Sequence, residues 1–321
     1  MGAATPSATQ TVGAPVQDDD FEPPELDPPA TDRSRSVASN EADPEGPAVS
    51  NGASGKENGS EQPPPPPWLR RGKVAAVNLV PAGLIGLYGV SQWGWGDESF
   101  RFGNEGGFGK DTKHGGADKL GHAWMGYVLS NWHGDLYENF GYSKQEAAKY
   151  GTISSLGLLT LVEVADGFTN DHGFSWEDQL ANTVGAYMGY LRQRCPRFKE
   201  SVDFRMEWKP SPGFRDRVRD GKFDPFTDYS GQKYLLAFKP GGMLRSDNKF
   251  LRMVELQAGY YTRGFQEESE PYFDEKSRHV FVGVGLNVTE LVRRMTGSRA
   301  KGVFDYVQLP FTSVRASSEL D

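Results

Sequence analysis

Three short polar signatures occupy the middle of the chain: Asp118-Lys119-x-x-His122, Glu163-x-x-Asp166, and Asp178-x-x-x-Asn182 running into Gly185-x-x-x-Gly189. Each lies in a stretch whose apolar residues recur at helical spacing. Ionisable groups on such helices cost several kcal/mol unless they meet partners. The i,i+3 and i,i+4 spacings put the members of each signature on one helical stripe, so the polar stripes are expected to meet at a common centre. Three kinds of chemistry suit these residue types. His122, Glu163, Asp166 and Asp178, with His172 as a second imidazole, form a candidate ligand set for a divalent metal, whose bound water could attack a phosphate or an amide. The same groups with Lys119 could line a cleft that holds a head group or glycan fragment without turnover. Alternatively, Asp118, Lys119, His122, Glu163, Asp166, Asp178 and Asn182 satisfy one another as a buried network that fixes helix register.

The elements that must carry these residues are legible from caps and periodicity. One helix is expected over about 117–138. A second starts at the capping box Ser143-x-x-Glu146 and ends at Asp166. A third is capped by Ser175 and ends near Arg194, before Pro196. Gly185 and Gly189 leave room for a neighbouring helix to approach closely. Beyond residue 230 the period changes to two, with strands expected at 234–239, 250–265, 278–286 and 304–314. Val280, Val282 and Val284 alternate there with Phe281, Gly283 and Gly285. Four such strands are too few to close a membrane barrel. The expected fold class is α+β: one apolar helix and three polar-centred helices, followed by a small antiparallel sheet.

Residues 1–67 are rich in Pro, Gly, Ser, Asp and Glu, carry nine more acidic than basic side chains, and read as a disordered tail. The formal net charge is −8, so the remainder is close to neutral. No basic stripe with interleaved aromatics is present, which argues against nucleic acid as a partner. The lone cysteine, Cys195, excludes an internal disulfide and a cysteine zinc site, and is expected to be inert. Residues 68–95 hold a charge-free run, 74–90, preceded by Arg70, Arg71 and Lys73. This matches the short limit of a membrane span with a cytoplasmic N-terminus, and an uncleaved anchor is the expected reading. An export signal and a buried soluble helix are the alternatives. The remaining boundaries are a helical domain at 96–200 and a β region at 201–321. In the Gly-rich segment after the apolar run, 103–110 lacks the glycine and hydroxyl of a phosphate-binding loop. His114 and His133 are expected at the surface or in loops.

Three quoted segments carry a family resemblance: Gly116-Ala-Asp118-Lys119-Leu-Gly-His122-Ala, Glu163-Val-Ala-Asp166-Gly-Phe, and Gly173-Phe-Ser175-x-x-Asp178-x-x-x-Asn182-x-x-Gly185. Together they resemble the YfiM-like family of predicted bacterial envelope lipoproteins and, more loosely, VanZ-like membrane proteins. The resemblance spans roughly residues 75–200 and implies an envelope location with the helical domain in the periplasm. It implies no activity. No lipoprotein cysteine follows the apolar run. The expected role is a membrane-associated accessory or binding protein whose partners are membrane lipids or envelope glycans, with self-association through the β region.

Overall fold

The structure is a computed structural model that describes residues 66–170, 172–265, 272–297 and 302–320. The tail expected to be disordered lies outside the described residues as far as position 65. The chain is α+β. Helix α1 (Pro67–Gln92) opens with proline at its first turn, where no amide hydrogen bond is lost. Among the described residues it is the one helix long and apolar enough to cross a membrane, and most of its surface is uncovered. It is tied down by polar side chains along its length. Asn78 Nδ2 donates to the Tyr137 hydroxyl at 2.7 Å, and Trp93 Nε1 to Asp224 at 3.0 Å.

Helices α2 (Ala117–Asn139), α3 (Lys144–Asp166) and α4 (Trp176–Arg194) pack together. Ser143 and Glu146 form the reciprocal capping box, and Ser175 Oγ accepts from the Asp178 amide at 3.2 Å. The helix admitted by the glycine pair is α2: a Cβ on Gly185 would fall on the backbone of Ala123, and one on Gly189 would fall on Ser130.

A short helix, α5 (Pro196–Ser201), leads into β1 (Val202–Trp208), a strand the periodicity did not predict. Helix α6 (Pro212–Arg219), β2 (Gln232–Phe238), α7 (Pro240–Met243), α8 (Lys249–Met253), β3 (Val254–Arg263), β4 (Ser277–Leu286), α9 (Val288–Thr296), β5 (Val307–Gln308) and β6 (Ser313–Glu319) follow. The six strands form one sheet in the order β5-β1-β2-β3-β4-β6, antiparallel except for β1 against β5. The strand expected at 250–265 begins later, because Asn248 caps the one-turn helix α8 through the amides of Phe250 and Leu251. The strand expected at 304–314 is a 3-10 turn, the two-residue β5, a loop and then β6.

Phe204 and Tyr234 on one sheet face pack against Ala123 and Tyr127 of α2. This contact anchors the bundle on the sheet.

Candidate functional site

The site begins at the N-terminus of α2. Gly115 and Gly116 turn the chain with φ of 61° and 84°, the left-handed region that favours glycine. That turn places Asp118 and Lys119 in the first helical turn. Lys119 Nζ lies 2.7 Å from Asp118, 2.8 Å from Asp178 and 3.5 Å from Glu105. Burial opposes the charge on this ammonium, but the carboxylates of Asp118 and Asp178 outweigh it and hold its pKa above the usual lysine value. Asp118 itself is pushed up to about 6, chiefly by burial, which Lys119 only partly offsets.

One helical turn on, His122 Nδ1 faces Glu163 Oε1 at 3.1 Å and Asn182 Oδ1 at 3.2 Å. Asn182 Nδ2 donates to the same Glu163 oxygen at 3.1 Å. This set assigns the proton to Nδ1 and leaves Nε2 3.9 Å from Asp178. Burial opposes protonation of His122; Asp178, Glu163 and Asp118 more than reverse it, so its pKa is raised. Glu163 is raised to about 8, with burial first among the causes; His122 opposes the rise, and the like charges of Asp178 and Asp166 add to it. Burial also raises Asp166, against the hydrogen bond from Trp95 Nε1 at 2.6 Å.

The structure therefore brings Asp118, Lys119, His122, Glu163, Asp178 and Asn182 into one network. Asp166 sits beside it, held by Trp95. Ser175 serves as the cap of α4, and His172 faces Glu105 at 3.4 Å. Sequence reasoning missed Glu105, Lys113, His114 and Trp95. Glu105 is held well below the usual carboxylate range: burial works against this, but His172, Lys113 and Lys119 prevail. His114 is neutral, pushed down to about 3 chiefly by burial, and neither ring nitrogen has a hydrogen-bond partner. His133, expected at the surface, is fully buried, with Nδ1 on the Leu129 carbonyl at 2.9 Å.

The network forms the polar end of a cavity of about 660 Å³. Its other walls are apolar: Leu84 and Ile85 from α1, Met125 and Leu129 from α2, Leu158 and Val162 from α3. As to metals, donor atoms of Glu105, His114 and Asp118 lie within 4.8 Å of one another. The ammonium groups of Lys113 and Lys119 already sit on those carboxylates, so a cation would have to displace them.

The apolar helix α1, long enough to cross a membrane, packs beside the polar-centred bundle. A model of a family described as predicted periplasmic lipoproteins (DUF2279) matches residues 104–194, the segment that carries the network. The location this supports is the bacterial cell envelope on its periplasmic side, with α1 able to serve as the anchor. No curated protein and no solved structure matches the chain.

Proposed function

We propose that the protein binds an amphiphilic molecule of the envelope, a lipid or lipid-linked glycan, with its apolar chain in the cavity and its head on the polar centre. The observation that carries this reading is the cavity itself: apolar walls leading to a group of carboxyls and an imidazole, with the Lys119 ammonium behind them. A network that served only to fix helix register would gain nothing from opening onto such a space. Glu163 and Asp118, with their raised pKa values, can donate as well as accept near neutrality, which suits a zwitterionic or hydroxyl-bearing head. The anchor helix supplies part of the wall, which favours a ligand drawn from the membrane. The resemblance to YfiM-like and VanZ-like proteins fits the same setting.

The test is mass spectrometry of lipid and metal in the full chain purified from envelope membranes in mild detergent. A lipid should copurify near one per protein. His122→Gln should lower its occupancy, and Met125→Trp, which narrows the apolar part of the cavity, should lower it as well while the protein still unfolds cooperatively. Bare wild-type protein, or equal occupancy in Met125→Trp, would remove the reading. A stoichiometric divalent metal would instead favour metal-assisted hydrolysis.

A further inference from the structure

The sheet encloses charged and polar side chains together with a small apolar cluster of Leu235, Ala237 and Phe281. Asp203, Arg205, Glu255, Gln257 and Gln308 point to the face away from the bundle, yet all are buried. That face closes on itself, because Arg315 of β6 reaches Glu207 of β1 at 2.8 Å although three strands separate them. Arg205 joins Asp203 at 2.7 Å and Glu255 at 2.9 Å within the enclosure. The curled sheet therefore holds its charges inside.

Its outer face is apolar. The register aligns Phe238, Leu256, Val284 and Val314 in one row across β2, β3, β4 and β6, and Leu236, Ala258, Val282 and Ala316 in the next. The bundle and the loop before α2 cover β1, β2 and the Tyr260 end of β3. Beyond that cover, Leu256 is 49% exposed, Val284 52%, Val282 63% and Val314 83%. Water disfavours a contiguous uncovered apolar face of this kind. Hydrocarbon selects the arrangement seen here, as in barrels whose outer residues meet lipid.

The end of the sheet beside α7, α8 and α9 has the composition of a membrane interface. Leu244 and Phe250 are exposed there among Arg245, Lys249, Arg252, Arg293 and Arg294, with Asp247 and Glu290 as the acids of the same segments. Such a basic rim complements anionic head groups.

The geometry points to a second membrane contact besides α1: the outer face of β3, β4 and β6 lies against the acyl chains of a bilayer, with the α7–α9 end at the head groups. An anchored protein keeps this face within reach of the membrane at all times, and the sheet would fix how the cavity mouth is presented.

The experiment uses the full chain in phosphatidylcholine–phosphatidylglycerol vesicles. With Cys195→Ser as background, an environment-sensitive fluorophore is placed by Val282→Cys or by Val314→Cys on the edge strand; the control carries it on the native Cys195 of the unsubstituted chain, exposed at the junction of α4 and α5. Acyl-chain-brominated lipid should quench the labels at 282 and 314 strongly and leave the label at 195 unchanged. Equal, weak quenching at all three positions would overturn the proposal. So would labels at 282 and 314 shielded from aqueous iodide but untouched by brominated lipid in a dimeric protein, since a second copy would then cover the face. None of these outcomes depends on whether a lipid occupies the cavity.

Discussion

Replacing Glu163 with glutamine should flatten the pH dependence of stability. In the folded protein its carboxyl titrates near 8, against an ordinary value of 4.5. Between those values the folded state holds a proton that the unfolded state has released, so stability is greatest at low pH and falls as pH rises toward 8. Each unit of separation is worth about 1.4 kcal/mol, which sets a ceiling of about 5 kcal/mol for the whole span. Of this, about 3 kcal/mol falls between pH 5 and pH 8, or roughly 10 °C in melting temperature for a domain of this size. His122 contributes with the same sign, because its raised pKa is also lost as pH climbs. Glutamine keeps an acceptor for Asn182 and His122 but cannot titrate, so the variant isolates one proton. The assay is thermal unfolding of wild type and Glu163→Gln in detergent at half-unit steps from pH 5 to 8.5. The two midpoints should lie close together near pH 5 and separate as pH rises, the wild type dropping steeply and the variant much less. Parallel curves would refute the reasoning, because Glu163 would then be as ionised in the folded chain as in the unfolded one.

Three further outcomes follow from the packing. Arg205→Met strands Glu255 in the enclosed face of the sheet and should cost about 3–5 kcal/mol in urea denaturation, while Arg205→Met with Glu255→Met should regain most of it. Gly185→Leu, which drives a side chain into the backbone of Ala123, should cost at least about 1–3 kcal/mol. By contrast, Gly157→Ala on the open face of α3 meets no atom within 4 Å and should gain up to about 1 kcal/mol.

The helices were legible because their determinants are local. Ser143, Glu146 and Ser175 act within four residues of themselves, and the stripe spacing brought the three polar signatures toward one another. The strand β1 was not legible for the reason that makes the sheet unusual. Its alternate residues Asp203, Arg205 and Glu207 face an enclosure that only β6 completes, so the segment reads as charged surface. The shortened strand near 250 turned on the single cap at Asn248. Glu105 and His114 reach the site through a glycine-rich loop whose path is set by distant contacts: Gly116 against Phe108, Gly115 against Phe265, and Gly103 hydrogen-bonded to Phe174 at 2.9 Å. His133 looked like a surface residue because the carbonyl that satisfies it belongs to its own helix and the helix that covers it lies far off in sequence.

The polar centre divides into two parts with different physical tasks. Around Lys119 the groups are enclosed: Asp118, Asp178 and Glu105 surround one ammonium, and removing that ammonium leaves buried carboxyls without it. That part fixes how α2, α4 and the loop before α2 meet. Around His122 the compensation is incomplete. Its side chain keeps 26% of its surface exposed at the cavity, its Nε2 has only a distant carboxylate, and Glu163 carries a raised pKa that better pairing would have lowered. Groups left partly unsatisfied at the end of an apolar cavity reduce stability in the empty protein, and a ligand head group that supplies the missing contacts would recover that loss. The closed half therefore explains why the bundle adopts one packing. The open half is where the proposed ligand's head group would be received.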